Sequence, residues 1–129
     1  MQLRGEKAIG QAAEAARAFG IAQALTRGDL ARLCIVVEEL VANLYDHGGV
    51  TEQDEIQLAF APDPKGIRIT IIDPGAPFDP WSAPPTADSM KGGGGAGTSL
   101  VRAWAEPIGY RSSGEGNQLE LLLPFRRGS

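Results

Sequence analysis

The chain has 129 residues, 43% of them hydrophobic and 22% charged, a composition typical of one globular domain with a two-layer core. Its net charge of −4, with no Lys or Arg block beyond Arg126–Arg127, argues against a general role on nucleic acid or a membrane surface. The single cysteine, Cys34, excludes an internal disulfide, and the lack of a leader pattern or a long apolar run predicts a soluble, cytoplasmic protein.

The first half of the chain predicts one short strand and two helices. Residues 1–6 alternate and can form an edge strand. The alanine-rich run from Ala8 to Phe19 has its apolar residues in helical step, which predicts an amphipathic helix ended by Gly20. The second helix is predicted to begin near Asp29, acting as its N-cap, and to end at Gly48–Gly49.

Strand signals dominate the second half of the chain. Further strands are predicted over 55–61, 67–72, 108–111 and 118–125, the first two forming an antiparallel hairpin. After the strand 67–72 comes a proline- and glycine-rich stretch, 73–97, which is too long for a routine connection. A short helix from Thr98 then precedes the strand 108–111. This order favours an α+β fold, a two-layer sandwich in which helices cover one face of a mixed, mostly antiparallel sheet.

The long second helix carries a row of polar side chains. Glu39, Asn43 and His47 are spaced by four residues, so a carboxylate, an amide and an imidazole follow one helix face. The neighbouring arc is apolar, which predicts that the row lies at the edge of a groove. An ordinary solvated helix face is the alternative, because such a pair contributes only about 0.2–0.5 kcal/mol.

Asp73, Pro74 and Gly75 directly follow the predicted strand 67–72. A strand-end aspartate can accept a hydrogen bond from an exocyclic amine, and a glycine two residues later lets a flat ring approach the backbone. Adenine meets both requirements. The alternative interpretation is a simple turn.

A run of glycines, 92–97 with one alanine, leads into the helix predicted from Thr98. Glycines at a helix N-terminus expose backbone N–H groups and the positive end of the dipole, an arrangement that binds phosphates. No Gly-Lys-Ser/Thr follows, so the run is not a Walker loop. A flexible linker has the same composition.

Together the three motifs resemble those of the GHKL (Bergerat-fold) ATPases. The matching segments, in chain order, are Glu39-Leu-Val-Ala-Asn43 with His47 (the N-box), Asp73-Pro-Gly75 with Phe78 (the adenine box) and Gly93-Gly-Gly95-Ala-Gly97 (the lid). Within that superfamily the spacing and short length are most similar to anti-sigma-factor serine kinases of the RsbW type, from bacterial partner-switching systems. The resemblance runs from about Leu30 to Phe125.

The resemblance implies a single Bergerat domain over 1–129 that binds ATP and Mg²⁺. Asn43 would offer its amide oxygen to the cation, which prefers hard oxygen ligands. Glu39 would orient and deprotonate the attacking hydroxyl. Asp73 would bind the adenine amine, Gly75 would line the adenine pocket, and Asn117 would support that pocket through water.

The lid is implied to span about 74–97. The amides of Gly93, Gly95 and Gly97 would hold the β and γ phosphates, and Thr98 would follow them in the nucleotide site. Related lids carry an arginine and two leucines where this chain has Gly94, Ala96 and Thr98. The lid is therefore expected to be looser.

The leading functional hypothesis is an ATP-dependent serine kinase and anti-sigma factor. It would phosphorylate a STAS-domain anti-anti-sigma factor and sequester a sigma factor, without contacting nucleic acid or membrane. The alternative is an ATP-binding switch or ATPase module with little or no kinase activity and a different partner. Two further hypotheses remain. One is a free-standing histidine-kinase catalytic domain, and the other is a nucleotide-free α+β domain in which the glycine run is a linker. The alanine-rich first helix can serve a homodimer interface or pack on the sheet.

Overall fold

A computed structural model describes residues 1–82 and 94–126, with only the backbone of residues 94–98. The elements, in chain order, are β1 (Gln2–Arg4), α1 (Ala8–Ala22), α2 (Arg27–Asp46), β2 (Glu55–Asp63), β3 (Gly66–Asp73), α3 (Gly94–Trp104), β4 (Glu106–Ser113) and β5 (Gly116–Pro124). This confirms the predicted order of strands and helices. None of the helices in these ranges is both long and apolar enough to span a bilayer.

The strands form one sheet in the order β1-β2-β3-β5-β4. The α+β prediction is confirmed. The predicted sheet was mixed and mostly antiparallel, whereas every pairing among the described residues is antiparallel. Because β5 inserts between β3 and β4, β4 becomes an edge strand. The pairing also aligns Asp73 on β3 with Asn117 on β5, and Asn117 with Ser112 on β4.

The core lies between one face of the sheet and α2. The apolar arc of α2 is fully or nearly fully buried, as its spacing predicts, and comprises Leu33, Val36, Val37, Leu40, Val41 and Leu44. Alternate residues of β3 and β5 face it, comprising Ile67, Ile69, Ile71, Leu119, Leu121 and Leu123. Helices α1 and α3 contact α2 on the same side of the sheet. Each such side chain contributes about 1.5–3 kcal/mol on burial, so this layer holds α2 and its polar row against the sheet.

Helix α1 continues past Gly20, which was predicted to end it. Gly20 is buried, and a Cβ there would lie 2.5 Å from Cδ1 of Leu30, so the glycine serves the close packing of α1 on α2. The helix instead ends in a Schellman motif. Its left-handed residue is Ala24 (φ 56°), with N–H bonds of 3.0 Å from Ala24 to the Ile21 carbonyl and from Leu25 to the Gly20 carbonyl.

We expect Ala24→Gly to raise the free energy of unfolding by about 1 kcal/mol, because glycine adopts the left-handed conformation without a steric penalty. Urea denaturation would measure the change. Ala18→Gly is the matched control, since Ala18 is exposed inside α1 and glycine there should lower stability by about 1 kcal/mol. Equal destabilisation by both substitutions would contradict the strain at Ala24.

Helix α2 begins two residues before Asp29, which was predicted to be its N-cap. The cap is Thr26, whose hydroxyl accepts the Asp29 N–H at 3.1 Å. The Asp29 carboxylate is buried in an ion pair with Arg32 and also accepts the backbone N–H of Arg126 at 3.2 Å. That contact across 97 residues is invisible to local sequence patterns and explains why Asp29 does not cap.

Candidate functional site

Three polar side chains form a hydrogen-bonded row across the ends of β3, β5 and β4. The Asp73 carboxylate is only 5% exposed, and its Oδ2 accepts the N–H of Gly75 at 2.8 Å and Nδ2 of Asn117 at 3.1 Å. Asn117 Nδ2 also lies 2.8 Å from the Gly75 carbonyl, while its Oδ1 accepts the Ser112 hydroxyl at 2.6 Å. These contacts fix the Asn117 amide in one orientation, and they bring the predicted residues Asp73, Gly75 and Asn117 together.

Burial raises the pKa of the Asp73 carboxyl above its ordinary value, and the negative charge of Asp54 adds to the effect. The hydrogen bonds from Asn117 and Gly75 oppose the shift because they stabilise the carboxylate. In the described part of the chain both bonds go to Oδ2. Oδ1 is therefore available to accept a donor from a ligand.

Gly75 permits a close approach between two backbone segments. A Cβ at this position would lie 2.1 Å from the carbonyl oxygen of Gly48, just beyond the end of α2. The next residue, Ala76, donates its N–H to the same carbonyl at 2.7 Å. The glycine thus ties the segment after β3 to the C-terminal end of α2. Its predicted contact with adenine stays a prediction.

Asn43 lies in the same pocket as Asp73. The pocket is lined by Leu40, Asn43, Leu44, Ile71, Asp73, Phe78, Pro80, Tyr110 and Leu119. Asn43 is 3% exposed, and its Nδ2 is buried without a hydrogen-bond partner in the described residues. A buried amide without a partner costs about 1–3 kcal/mol. Rotation about the Cβ–Cγ bond of Asn43 exchanges the positions of Oδ1 and Nδ2, so the side chain can also direct its oxygen into the pocket. An amide oxygen is a suitable ligand for Mg²⁺.

Glu39 and His47 lie on either side of Asn43 along α2. Glu39, one turn earlier, is half-buried and does not line the pocket, and its side chain makes no ion pair or hydrogen bond with the described residues. His47 is exposed, caps the C-terminus of α2 and stacks on Phe78 with ring centroids 5.5 Å apart. The polar row of α2 therefore starts beside the pocket at Glu39, enters it at Asn43 and leaves it at His47.

The lid residues are only partly described. Gly93 lies outside the described residues, as does the middle of the predicted lid, residues 83–93. Helix α3 begins at Gly94, so Gly95, Gly97 and Thr98 lie within the helix and the prediction of a loop up to 97 is wrong there. Glycine is a poor helix former but does not forbid a helix that tertiary packing holds, and α3 packs on α2 with Val101 fully buried. The first four N–H groups of any helix lack intrahelical partners, so the amides of 94–97 keep their donor capacity.

Two further residues of the site, Tyr110 and Ser112, were not predicted from the sequence. Ser112 bonds Asn117, and Tyr110 lines the pocket and accepts the N–H of Phe78 at 2.9 Å. Both lie on β4, whose pairing with β5 is longer than predicted because the connecting turn has two residues, 114–115. Gly114 and Gly116 are typical of a two-residue hairpin turn, and that turn places Ser112 opposite Asn117.

Comparison with known proteins gives one family and one fold. The model of the family described as "Histidine kinase-like ATPase domain" matches residues 4–123. No curated protein sequence matches the chain at a significant level. Two solved structures from Erythrobacter litoralis are similar in fold. The blue-light activated histidine kinase EL346 has a TM-score of 0.56 and 17% identity, over 81% of this chain and 33% of that one. The histidine kinase domain from the same protein gives 0.51 and 20%, over 75% and 45%. This chain thus spans a third to under half of those proteins.

Proposed function

The chain belongs to the family of histidine kinase-like ATPase domains, of the GHKL superfamily, and we propose that it binds Mg-ATP and transfers the γ-phosphate to a serine of a protein partner. The observation that carries the proposal is that one pocket, between α2 and the end of the sheet, holds both Asp73 and Asn43. A nucleotide site of this kind needs a carboxylate to bind the adenine amine and an amide oxygen to hold Mg²⁺ at the phosphates. Asp73 is the buried carboxylate, and Asn43 is the buried amide without a partner among the described residues.

The adenine ring would bind at the Asp73 end of the pocket. Oδ1 of Asp73 would accept the exocyclic amine, while Oδ2 stays engaged with Gly75 and Asn117. The apolar walls, which include Leu44 and Ile71, would exclude water from the ring. Selectivity for adenine over guanine follows, because guanine presents a carbonyl where adenine presents an amine donor, and the carboxylate would face an acceptor.

The phosphates would extend along α2 from Asn43. The Asn43 oxygen would hold Mg²⁺, which when bound offsets the repulsion between the phosphates and a chain of net charge −4. The amides at the start of α3 would donate to the β and γ phosphates. Glu39, one turn before Asn43 and beside the pocket, would take the proton of the attacking hydroxyl.

A partner serine is the acceptor that we propose. The N-box, adenine box and lid pattern resemble those of RsbW-type kinases. On that resemblance the partners are a STAS-domain anti-anti-sigma factor, which receives the phosphate, and a sigma factor, which is sequestered.

The test is incubation of the protein with γ-labelled Mg-ATP and STAS proteins encoded near its gene, followed by mass spectrometry. We expect phosphoserine on one STAS protein, and binding of a sigma factor that this STAS protein relieves. ATP binding or hydrolysis without phosphoserine on any of them would instead identify a switch or ATPase module. Calorimetry showing no nucleotide binding with Mg²⁺ would contradict both.

A further inference from the structure

The segment that follows Gly75, residues 76–82, covers the pocket. Pro80 is fully buried, Phe78 is half-buried, and Trp81 packs against the core. With this segment in place the pocket has a free volume of about 10 Å³, room for about one water molecule. An adenine ring, close in size to an indole, cannot enter until the segment moves.

The segment is held to the edge strand by a hydrogen bond. The N–H of Phe78 donates to the hydroxyl oxygen of Tyr110 on β4 at 2.9 Å, across 32 residues of sequence. The Phe78 ring also stacks on His47, and Asp79 closes a local turn by accepting the N–H of Trp81 at 3.0 Å. The turn lies wholly within the segment and can stay intact when the segment leaves, whereas the Tyr110 bond and the His47 stacking have to break.

We propose that Tyr110 is a positioning residue that latches segment 76–82 over the adenine pocket and thereby limits nucleotide entry, an inference that rests on the proposed function. Its ring forms a wall of the pocket and its hydroxyl satisfies the Phe78 amide only while the segment covers that pocket. The apparent dissociation constant for nucleotide equals the intrinsic constant divided by the fraction of open molecules. Removing the hydroxyl leaves the Phe78 amide without its partner in the closed arrangement, which raises that fraction.

Tyr110→Phe tests the latch because it keeps the ring and deletes the hydroxyl. We expect binding of Mg-ATP, measured by calorimetry on the full chain, to tighten by about 3- to 10-fold. Tyr45→Phe is the matched control. The Tyr45 hydroxyl is likewise bonded to a backbone group, although as a donor, to the Gly5 carbonyl at 3.4 Å. Tyr45 does not line the pocket, so this variant should bind like the wild type.

Amide hydrogen exchange without nucleotide provides a second, independent readout. In Tyr110→Phe the N–H of Phe78 should exchange about tenfold faster, while the N–H of Ala76, bonded to Gly48, should be unaffected. Unchanged exchange at Phe78, or unchanged or weaker nucleotide binding by Tyr110→Phe beside a wild type that binds, would overturn the latch alone. Failure of the wild type to bind adenine nucleotides would overturn the proposed function and the latch with it.

Discussion

Asp73→Asn should weaken Mg-ATP binding by roughly 10- to 100-fold, the value of a hydrogen bond to a charged group. The direction follows from the bonds already present. Oδ2 accepts two donors, from Gly75 and Asn117, so an asparagine must place its oxygen there. Its NH₂ group then takes the place of Oδ1 and faces the amine of adenine, donor against donor.

Calorimetry with Mg-ATP and Mg-GTP would measure this effect, since the preference for ATP should fall together with the affinity. Asp63→Asn is the matched control. Asp63 lies at the opposite end of the β2–β3 hairpin from Asp73, where it accepts the N–H of Lys65, so its substitution should leave binding unchanged. If Asp73→Asn kept both affinity and selectivity, adenine would have to bind elsewhere.

The same variant should change how stability depends on pH. Burial raises the pKa of Asp73 in the folded chain above its ordinary value of 3.8, so the folded state holds that proton more tightly than the unfolded state. The stability that Asp73 contributes is therefore fully present below pH 3.8 and is lost as the pH rises through the folded-state pKa. Asparagine does not titrate. The unfolding free energy of the wild type should thus decline relative to Asp73→Asn as the pH rises above 3.8, and a parallel dependence would contradict this.

Local patterns predicted most of the fold, because periodicity reports directly which face of an element is buried. The arc of α2 and the hairpin of β2 and β3 follow from spacing and turn residues alone. The errors occurred where a distant contact decides. Gly20 reads as a helix end but is required by Leu30 of the next helix, and Asp29 reads as a cap but is engaged by Arg32 and Arg126.

In the site, too, the residues of local motifs could be predicted from the sequence, whereas features that depend on distant contacts could not. Asp73 and Asn43 were predicted because each belongs to a motif with a fixed local geometry, a strand end and a helix face. Their meeting in one pocket depends on α2 packing across β3, which no short window contains. Tyr110 belongs to no motif. It reaches the pocket because β5 pairs with β3 and carries β4 alongside, aligning Tyr110 with Leu119 and Leu119 with Ile71.

Glu39→Gln should lower the rate of γ-phosphate transfer to the partner serine by about 100- to 10,000-fold, the usual contribution of a general base. Mg-ATP binding should be unchanged, because Glu39 lies outside the pocket that holds Asp73 and Asn43. Glutamine has nearly the same shape and keeps the helix, but it cannot accept the proton of a hydroxyl. Transfer would be measured as phosphoserine formed on the STAS protein, with binding measured separately by calorimetry.

Glu38→Gln provides the control, since the chain places two half-buried glutamates side by side on α2. Successive residues of a helix point about 100° apart, so only Glu39 shares the face of Asn43. A general base must come within hydrogen-bond reach of the proton it removes, and that requirement separates the two carboxylates although both are half-buried. Loss of transfer in Glu39→Gln with full transfer in Glu38→Gln would assign the base to one helix face. Full transfer in both variants would remove Glu39 from the mechanism.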